Sequence, residues 1–184
     1  MANQRADARR NYERILEVAG TVVAEQGTQA SLREVARRAG VGLGTLYRHF
    51  PTREALLEVL LRQRFDGLAD RARSLEDSQD PGAALEQWLR QFLAGSTTYR
   101  GLAASMLATI EDEGSPLHAS CHAMREAVGR LLTLAQEAGH VRSDVDRTDL
   151  FALVSAIGWL SDQAPAMADR ADHLFGLVMD AVKA

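Results

Sequence analysis

Ser31-Leu-Arg-Glu-Val-Ala-Arg-Arg-Ala-Gly-Val-Gly-Leu-Gly-Thr-Leu-Tyr-Arg-His-Phe50 is the stretch on which the fold turns. Its first half sets Leu32, Val35, Ala36 and Ala39 at helical spacing behind Ser31, with Glu34 three residues after the serine. That pattern predicts a capping box, in which hydroxyl and carboxylate satisfy each other's backbone N–H groups. Gly40 suits the left-handed position that ends a helix. A second short helix is predicted from about Leu43 to His49, burying Val41, Leu46 and Phe50 and halted by Pro51. The two meet at Gly40-Val41-Gly42, and the second opens on small residues that let backbone approach a ligand. Arg33, Arg37, Arg38, Arg48, His49 and Arg53 lie around the turn. A helix-turn-helix needs such a second helix, able to enter a major groove about 12 Å wide with its first side chains at base edges. Cations and hydroxyls on its shoulders hold phosphates. A basic αα-hairpin in a helical bundle has the same spacing, so two readings stand at this point.

Working outward, a preceding helix carries Tyr12, Ile15, Leu16, Ala19, Val22 and Val23 on one stripe and ends at Gly27. Thr52 caps a following helix with Leu56, Val59, Leu60 and Phe65 inward. Past a polar break at 78–82, one stripe is Leu85, Trp88, Leu89 and Phe92, and another is Leu102, Met106, Leu107 and Ile110, split by Gly95-Ser96. Pro116 opens a longer helix with Leu117, Cys121, Met124, Val128, Leu131 and Ala135 in line, closed by Gly139. Asp146 and Asp149 mark the next N-terminus, where carboxylates suit the helix dipole. Leu150, Leu153, Val154, Ile157 and Leu160 follow, and a last helix after Pro165 carries Leu174, Leu177, Val178 and Ala181. No stretch alternates with period two and no repeat is evident. The expectation is an all-α chain of about nine helices. A three-helix head falls in 1–62, with the fourth helix linking onwards, and a helical body in 63–184.

Composition narrows the partners. Of 184 residues, 46% are apolar, 25% charged and 5% aromatic, a globular balance that excludes a mostly disordered chain and disfavours a many-stranded β fold. The net charge of −4 hides an asymmetry: residues 1–64 hold 11 Arg against 7 Asp and Glu, a net of +4, and the remainder carries −8. A basic head on an acidic body points to a polyanionic partner for the head. The longest charge-free apolar stretch, between Asp149 and Asp162, is shorter than the ~20 residues that cross a bilayer, so no membrane partner is expected. No apolar core follows Arg5, Arg9 and Arg10, which excludes a secretory signal; these arginines form either an arm along DNA or a solvated tail. The single cysteine fits a reducing compartment, and a cytoplasmic protein is expected.

The quoted stretch, continued by Pro51-Thr-Arg-Glu-Ala-Leu-Leu57, resembles the DNA-binding head of the TetR family of transcriptional regulators over about residues 10–62. The Thr45-Leu46-Tyr47 step, His49-Phe50 and Arg53 carry the resemblance. It implies that Arg33, Leu43, Gly44 and Thr45 face bases of a double-stranded operator, while Ser31, Tyr47, His49 and Arg53 hold phosphates. Arg48 and the cap residue Thr52 join this candidate interface. The chemistry agrees: Arg bonds guanine bidentately, Leu touches a thymine methyl, and Tyr and His offer O–H and N–H donors. Many relatives carry a polar residue where this chain has Leu43, so no operator sequence carries over from them.

The resemblance further implies that helices at about 146–162 and 167–183 pair with a second copy in a four-helix bundle. The residues support this separately: Phe151, Val154, Ile157 and Trp159 spread over more than one helix face, and Leu174 and Val178 follow on the last helix. Such a helix is buried on two sides, by a partner subunit or by its own fold. A homodimer would set two reading heads one groove repeat apart on a roughly palindromic operator. By the same resemblance the fifth to seventh helices, between the polar break at 78–82 and Gly139, hold a small-molecule effector, and Trp88, Phe92, Met106, Ile110 and Met124 are candidate lining residues for an apolar molecule. A regulator, most simply a repressor released by its effector, follows.

Other chemistry is thinly represented. His118, Cys121 and His122 share one helix face and compose a weak metal-binding candidate, the basis of a metal-responsive alternative. A helical dimer that coats DNA without sequence choice is the other alternative. Gly40-x-Gly42-x-Gly44 follows no strand, and there is neither a nucleophile elbow nor an H-E-x-x-H, so neither an enzyme nor a cofactor is expected.

Overall fold

The structure is a computed structural model and describes residues 2–99, 101–105 and 107–184. Its elements are α1 (Ala2–Gln26), a 3-10 turn (Gly27–Gln29), α2 (Leu32–Arg38), α3 (Leu43–His49), α4 (Arg53–Leu75) and α5 (Pro81–Thr98). There follow α6 (Leu102–Ser105), α7 (Leu107–Glu111), α8 (Pro116–Glu137), α9 (Arg147–Gln163), α10 (Pro165–Ala168) and α11 (Ala171–Val182). The chain is all-α among the described residues, with one isolated bridge between Val141 and Lys183. Each of the nine expected helices is present. The segment expected as one helix over 102–110 is helical on both sides of residue 106, which lies outside the described residues, and the one expected over 167–183 carries a separate short turn, α10, before α11. Two compact units arise: Met1–Leu61 with Tyr99–Leu107, and Arg62–Thr98 with Ala108–Ala184.

In the first unit Ile15, Ala19 and Val22 of α1, Val35 and Ala36 of α2, Leu46 of α3 and Leu56 of α4 form the core, each at most 3% exposed. α1 reaches back to Ala2, so Arg9 and Arg10 lie on an exposed stretch of helix, paired with Glu13 and Asp7, rather than on a loose tail. The capping box expected at Ser31 is absent. Ser31 takes the extended N-cap conformation, but its hydroxyl makes no cap bond, and the Glu34 carboxylate is turned to Arg37 and Arg38.

In the second unit α5 packs against both α8 and α9. Trp88 is its centre, fully buried, with Nε1 donating to the Leu68 carbonyl at 2.8 Å. α9 comes close to α5 at Gly158, where a Cβ would lie 2.9 Å from that of Ser96. Gly95-Ser96 does not break α5 as expected: the helix runs on to Thr98. The Arg64 guanidinium fills the space a Cβ at Gly95 would need and donates to the Phe92 carbonyl at 3.2 Å. Caps set the other ends. The Ser115 hydroxyl accepts from the backbone N–H groups of Leu117 and His118, with Pro116 in the first turn of α8. Asp146 and Asp149 form a reciprocal capping box on α9.

Candidate nucleic-acid interface

The turn between α2 and α3 is built from its glycine outward. Gly40 has φ +64°, the Val41 N–H donates to Ala36 O at 3.0 Å, and the Gly40 N–H donates to Arg37 O at 3.2 Å. This is a Schellman closure, which needs a left-handed residue that glycine adopts without a Cβ penalty. Gly42 is extended, and its carbonyl accepts from the Thr45 and Leu46 N–H groups at 2.9 and 3.1 Å, starting α3. Leu46 and Phe50, at 0% and 1% exposure, anchor one face of α3 in the core. Helical spacing then turns Gly44, Tyr47 and Arg48 outward, and Tyr47 is 47% exposed for a side chain of its size. Leu43, Thr45 and His49 are partly buried on the flanks of that face.

The cations divide into two groups. Arg37 and Arg38 are tied to Glu34 at 2.7 Å, and Arg38 also to Glu25 of α1 at 2.7 Å. Hydrogen bonds from the two guanidinium groups pull the Glu34 carboxyl down to about 2. Arg38 therefore braces α2 against α1, and Arg37 is held along its own helix. Arg33 is exposed and makes no hydrogen bond or ion pair to another described residue. Arg48 lies back along α3, its Nε donating to Gly44 O at 3.2 Å and its Nη2 to Thr45 Oγ1 at 3.4 Å. Arg53 donates from Nη1 to Gln29 Oε1 at 2.8 Å, while its buried Nε has no protein partner. Thr52 caps α4, accepting from the Ala55 N–H at 3.0 Å. Ser31 is exposed at the start of α2.

Tyr12 adds a feature that its stripe position did not reveal. Its ring stacks on Phe50 at 5.2 Å and meets His49 edge-on at 5.9 Å, so α1 holds the end of α3 in place. The face so presented offers a guanidinium, two hydroxyls and an apolar contact from one convex surface.

Several expectations for the body change. Trp88, Phe92 and Met124 are core residues at 0%, 9% and 2% exposure, Ile110 is partly buried, and Met106 lies outside the described residues. Phe151, expected at a subunit interface, is edge-on to Phe92 at 5.1 Å and to Trp88 at 6.1 Å. Val154 and Ile157, also expected there, are buried in their own subunit at 0% and 6%. Trp159 is 63% exposed, with Leu174 and Val178 partly so. Leu153 of α9 and Leu177 of α11, at 42% and 53%, extend the apolar face beyond the interface residues expected from sequence. His118, Cys121 and His122 do not converge, and no cluster suited to a metal exists among the described residues. His118 Nδ1 is 2.8 Å from the Ile110 carbonyl, and His122 faces Glu126 at 3.9 Å. No helix among the described residues is long and apolar enough to cross a membrane.

Comparison with known proteins agrees with this geometry at both ends of the chain. Residues 15–60 match the family described as bacterial regulatory proteins, tetR family. Residues 80–184 match the transcriptional regulator SbtR-like C-terminal domain. A TetR transcriptional regulator from Streptomyces coelicolor is 37% identical, with 94% of this chain and 98% of that one covered at a TM-score of 0.73. A TetR regulatory protein from Mycobacterium vanbaalenii is 34% identical over 98% of this chain and 99% of its own, at a TM-score of 0.69. The HTH-type transcriptional repressor KstR2 of Rhodococcus jostii is 29% identical over 160 residues, 80% of this chain and 76% of its own. With a glycine-closed helix-turn-helix at one end and a matching helical domain at the other, the chain belongs to the TetR family of transcriptional regulators.

Proposed function

We propose that this regulator is a cytoplasmic repressor that binds a roughly palindromic operator as a homodimer and leaves it when a small molecule occupies the body. The observation that carries this reading is the outward face of α3, where exposed Tyr47 and Gly44 stand opposite fully buried Leu46. On it, Thr45, Gly44 and Leu43 meet base edges in the major groove, and Arg33 bonds guanine from the shoulder. Ser31, Tyr47, His49, Thr52 and Arg53 hold the phosphates, and Arg48 swings from its own helix toward them. The exposed apolar face of Leu153, Trp159 and Leu177 supports a homodimer, since water contact over three large side chains is unfavourable. In such a dimer two α3 helices lie ~34–36 Å apart or at a related groove repeat. The effector acts through a higher affinity for a state of the dimer whose two heads no longer match that repeat.

Gel shift and footprinting on DNA upstream of the chain's own gene test the proposal. A defined, salt-sensitive footprint with two-fold symmetry is expected. Uniform protection of any DNA would replace the repressor with a coating protein.

A further inference from the structure

Gln29 stands between α1 and α2 and holds the cation that opens α4. It ends the 3-10 turn, and its Oε1 accepts from Arg53 Nη1 at 2.8 Å. A guanidinium only donates, so the amide turns its oxygen, not its nitrogen, to Arg53. Among the described residues, Arg53 Nε is the buried side-chain nitrogen left without a hydrogen-bond partner. A dry, unpaired N–H is unfavourable, and an arginine free to choose would turn it to water. The bond to Gln29 keeps the side chain in this pose. Nη2 makes no bond to another described residue, and Nη1 has a second hydrogen to give.

The turn that carries Gln29 is itself fixed on several sides. The Gly27 carbonyl accepts from the Ala30 N–H at 3.1 Å, and Ala30 is buried. The Arg38–Glu25 pair ties the end of α1 to α2, and α6 packs against the turn with Leu102 buried beside it in the same unit. A residue on a fixed turn can set the direction of a long side chain that otherwise loses rotamer freedom on meeting its ligand. Ser31, exposed at the start of α2, follows Gln29 by two residues, so its hydroxyl and the Arg53 guanidinium belong to one corner of the head.

We propose that Gln29 is a positioning residue of the operator interface: its amide oxygen fixes the Arg53 guanidinium so that Nη2 and the free Nη1 hydrogen meet a DNA phosphate without further ordering. The proposal rests on the operator-binding reading above and adds to it a residue that touches no DNA itself. Arginine meets phosphate through parallel charge-assisted donors, so the orientation of the guanidinium plane decides the strength of that contact.

A double-mutant cycle on DNA from upstream of the chain's own gene, read by fluorescence anisotropy over a range of salt, tests this. Gln29→Ala is expected to weaken binding about five- to hundredfold, the cost of ordering one arginine in each of two subunits. Its salt dependence should stay unchanged, because Arg53 still reaches its phosphate. The same factor is expected on scrambled DNA, since a phosphate contact carries no sequence. Arg53→Met keeps the stem and removes every donor; it should lower the slope of log K against log salt by about 2, one phosphate per subunit. In that background Gln29→Ala should change affinity less than about twofold. An equal loss in both backgrounds overturns the proposal, because a Gln29 that contacts DNA through its own Nε2 acts without Arg53. A loss confined to the operator also overturns it, since a head displaced by a missing brace loses sequence-specific contacts first. So does no loss from Gln29→Ala, or no change of slope from Arg53→Met. Melting curves check that the variants fold, and Arg53→Ala supplies the second background if the methionine variant does not. An unaltered chain that binds no defined site refutes the operator reading and the proposal together, whereas specific binding with an additive cycle refutes the proposal alone.

Discussion

Replacing Trp159 by alanine is the most direct perturbation of the proposed dimer. The indole is 63% exposed in the subunit, on the same helix as Leu153, which is 42% exposed. A large aromatic side chain buries roughly 150–250 Å² when covered, so about two thirds of that, roughly 100–160 Å², remains for a partner to cover. At ~25 cal/mol per Å² this is about 2.5–4 kcal/mol per subunit and twice that for a two-fold pair. Area converts to affinity incompletely, because association also costs side-chain and rigid-body freedom. Half of the combined figure, about 3 kcal/mol, still weakens the dimer more than a hundredfold. Sedimentation equilibrium of Trp159→Ala beside the unaltered chain reads this directly, with a shift toward monomer at micromolar concentration. Because Trp159 contributes little to its own subunit's core, the helical content of the variant should be retained. A dimer constant within about fivefold of the original, under 1 kcal/mol, would place the interface elsewhere and refute the reasoning.

Tyr47→Phe is expected to weaken operator and scrambled DNA alike, whereas Arg33→Ala costs about 1–3 kcal/mol on the operator and relaxes base preference at one position; equal losses from both variants on both DNAs would contradict that division. Gly40→Ala forces a Cβ into a residue at φ +64° and is expected to destabilise the head by about 1–2 kcal/mol, read by thermal melting. Glu34 is held at about 2 in the folded chain against an ordinary value of 4.5, so it contributes stability above 4.5 that fades as the pH falls through about 2. The Tm difference between the unaltered chain and Glu34→Gln should therefore be present at neutral pH and shrink toward pH 2, and the exposure of the pair keeps it small. A gap that grew on acidification would contradict the Arg37 and Arg38 pairing.

The head was legible because its signals are local. Gly40, Gly42, Pro51 and Thr52 each act within a turn of themselves, and each does in the structure what its residue type predicts. The box at Ser31 lost its carboxylate half for a reason the same logic contains. Glu34 has two arginines within four residues on its own helix, and a charge-assisted pair outcompetes a bond to one backbone N–H. Composition alone shows the three side chains but not which partner wins. The pairing of Tyr12 with Phe50 was invisible because it joins α1 to the end of α3 across 38 positions, with no periodicity to announce it.

The body shows why an interface is harder to read than a core. α9 is apolar on two faces, and the sequence distinguishes neither from the other: Val154 and Ile157 are no more hydrophobic in kind than Leu153 and Trp159. What separates them is the approach of α5, which comes in over Gly158 because a Cβ there would strike Ser96. Once that glycine sets the inward direction, Val154 and Ile157 are buried within the subunit, and Leu153, Ala156 and Trp159 are left facing out. A single small residue thus decides which half of an apolar helix belongs to the monomer. Gly158→Ala should therefore disturb folding of the subunit before it disturbs pairing, the opposite order to Trp159→Ala. Thermal melting at two protein concentrations separates the cases: a Tm deficit against the unaltered chain that is the same at both concentrations for Gly158→Ala, and one that shrinks as concentration rises for Trp159→Ala. If Gly158→Ala melted as the unaltered chain does, the close approach of α5 and α9 would not be what orients the helix.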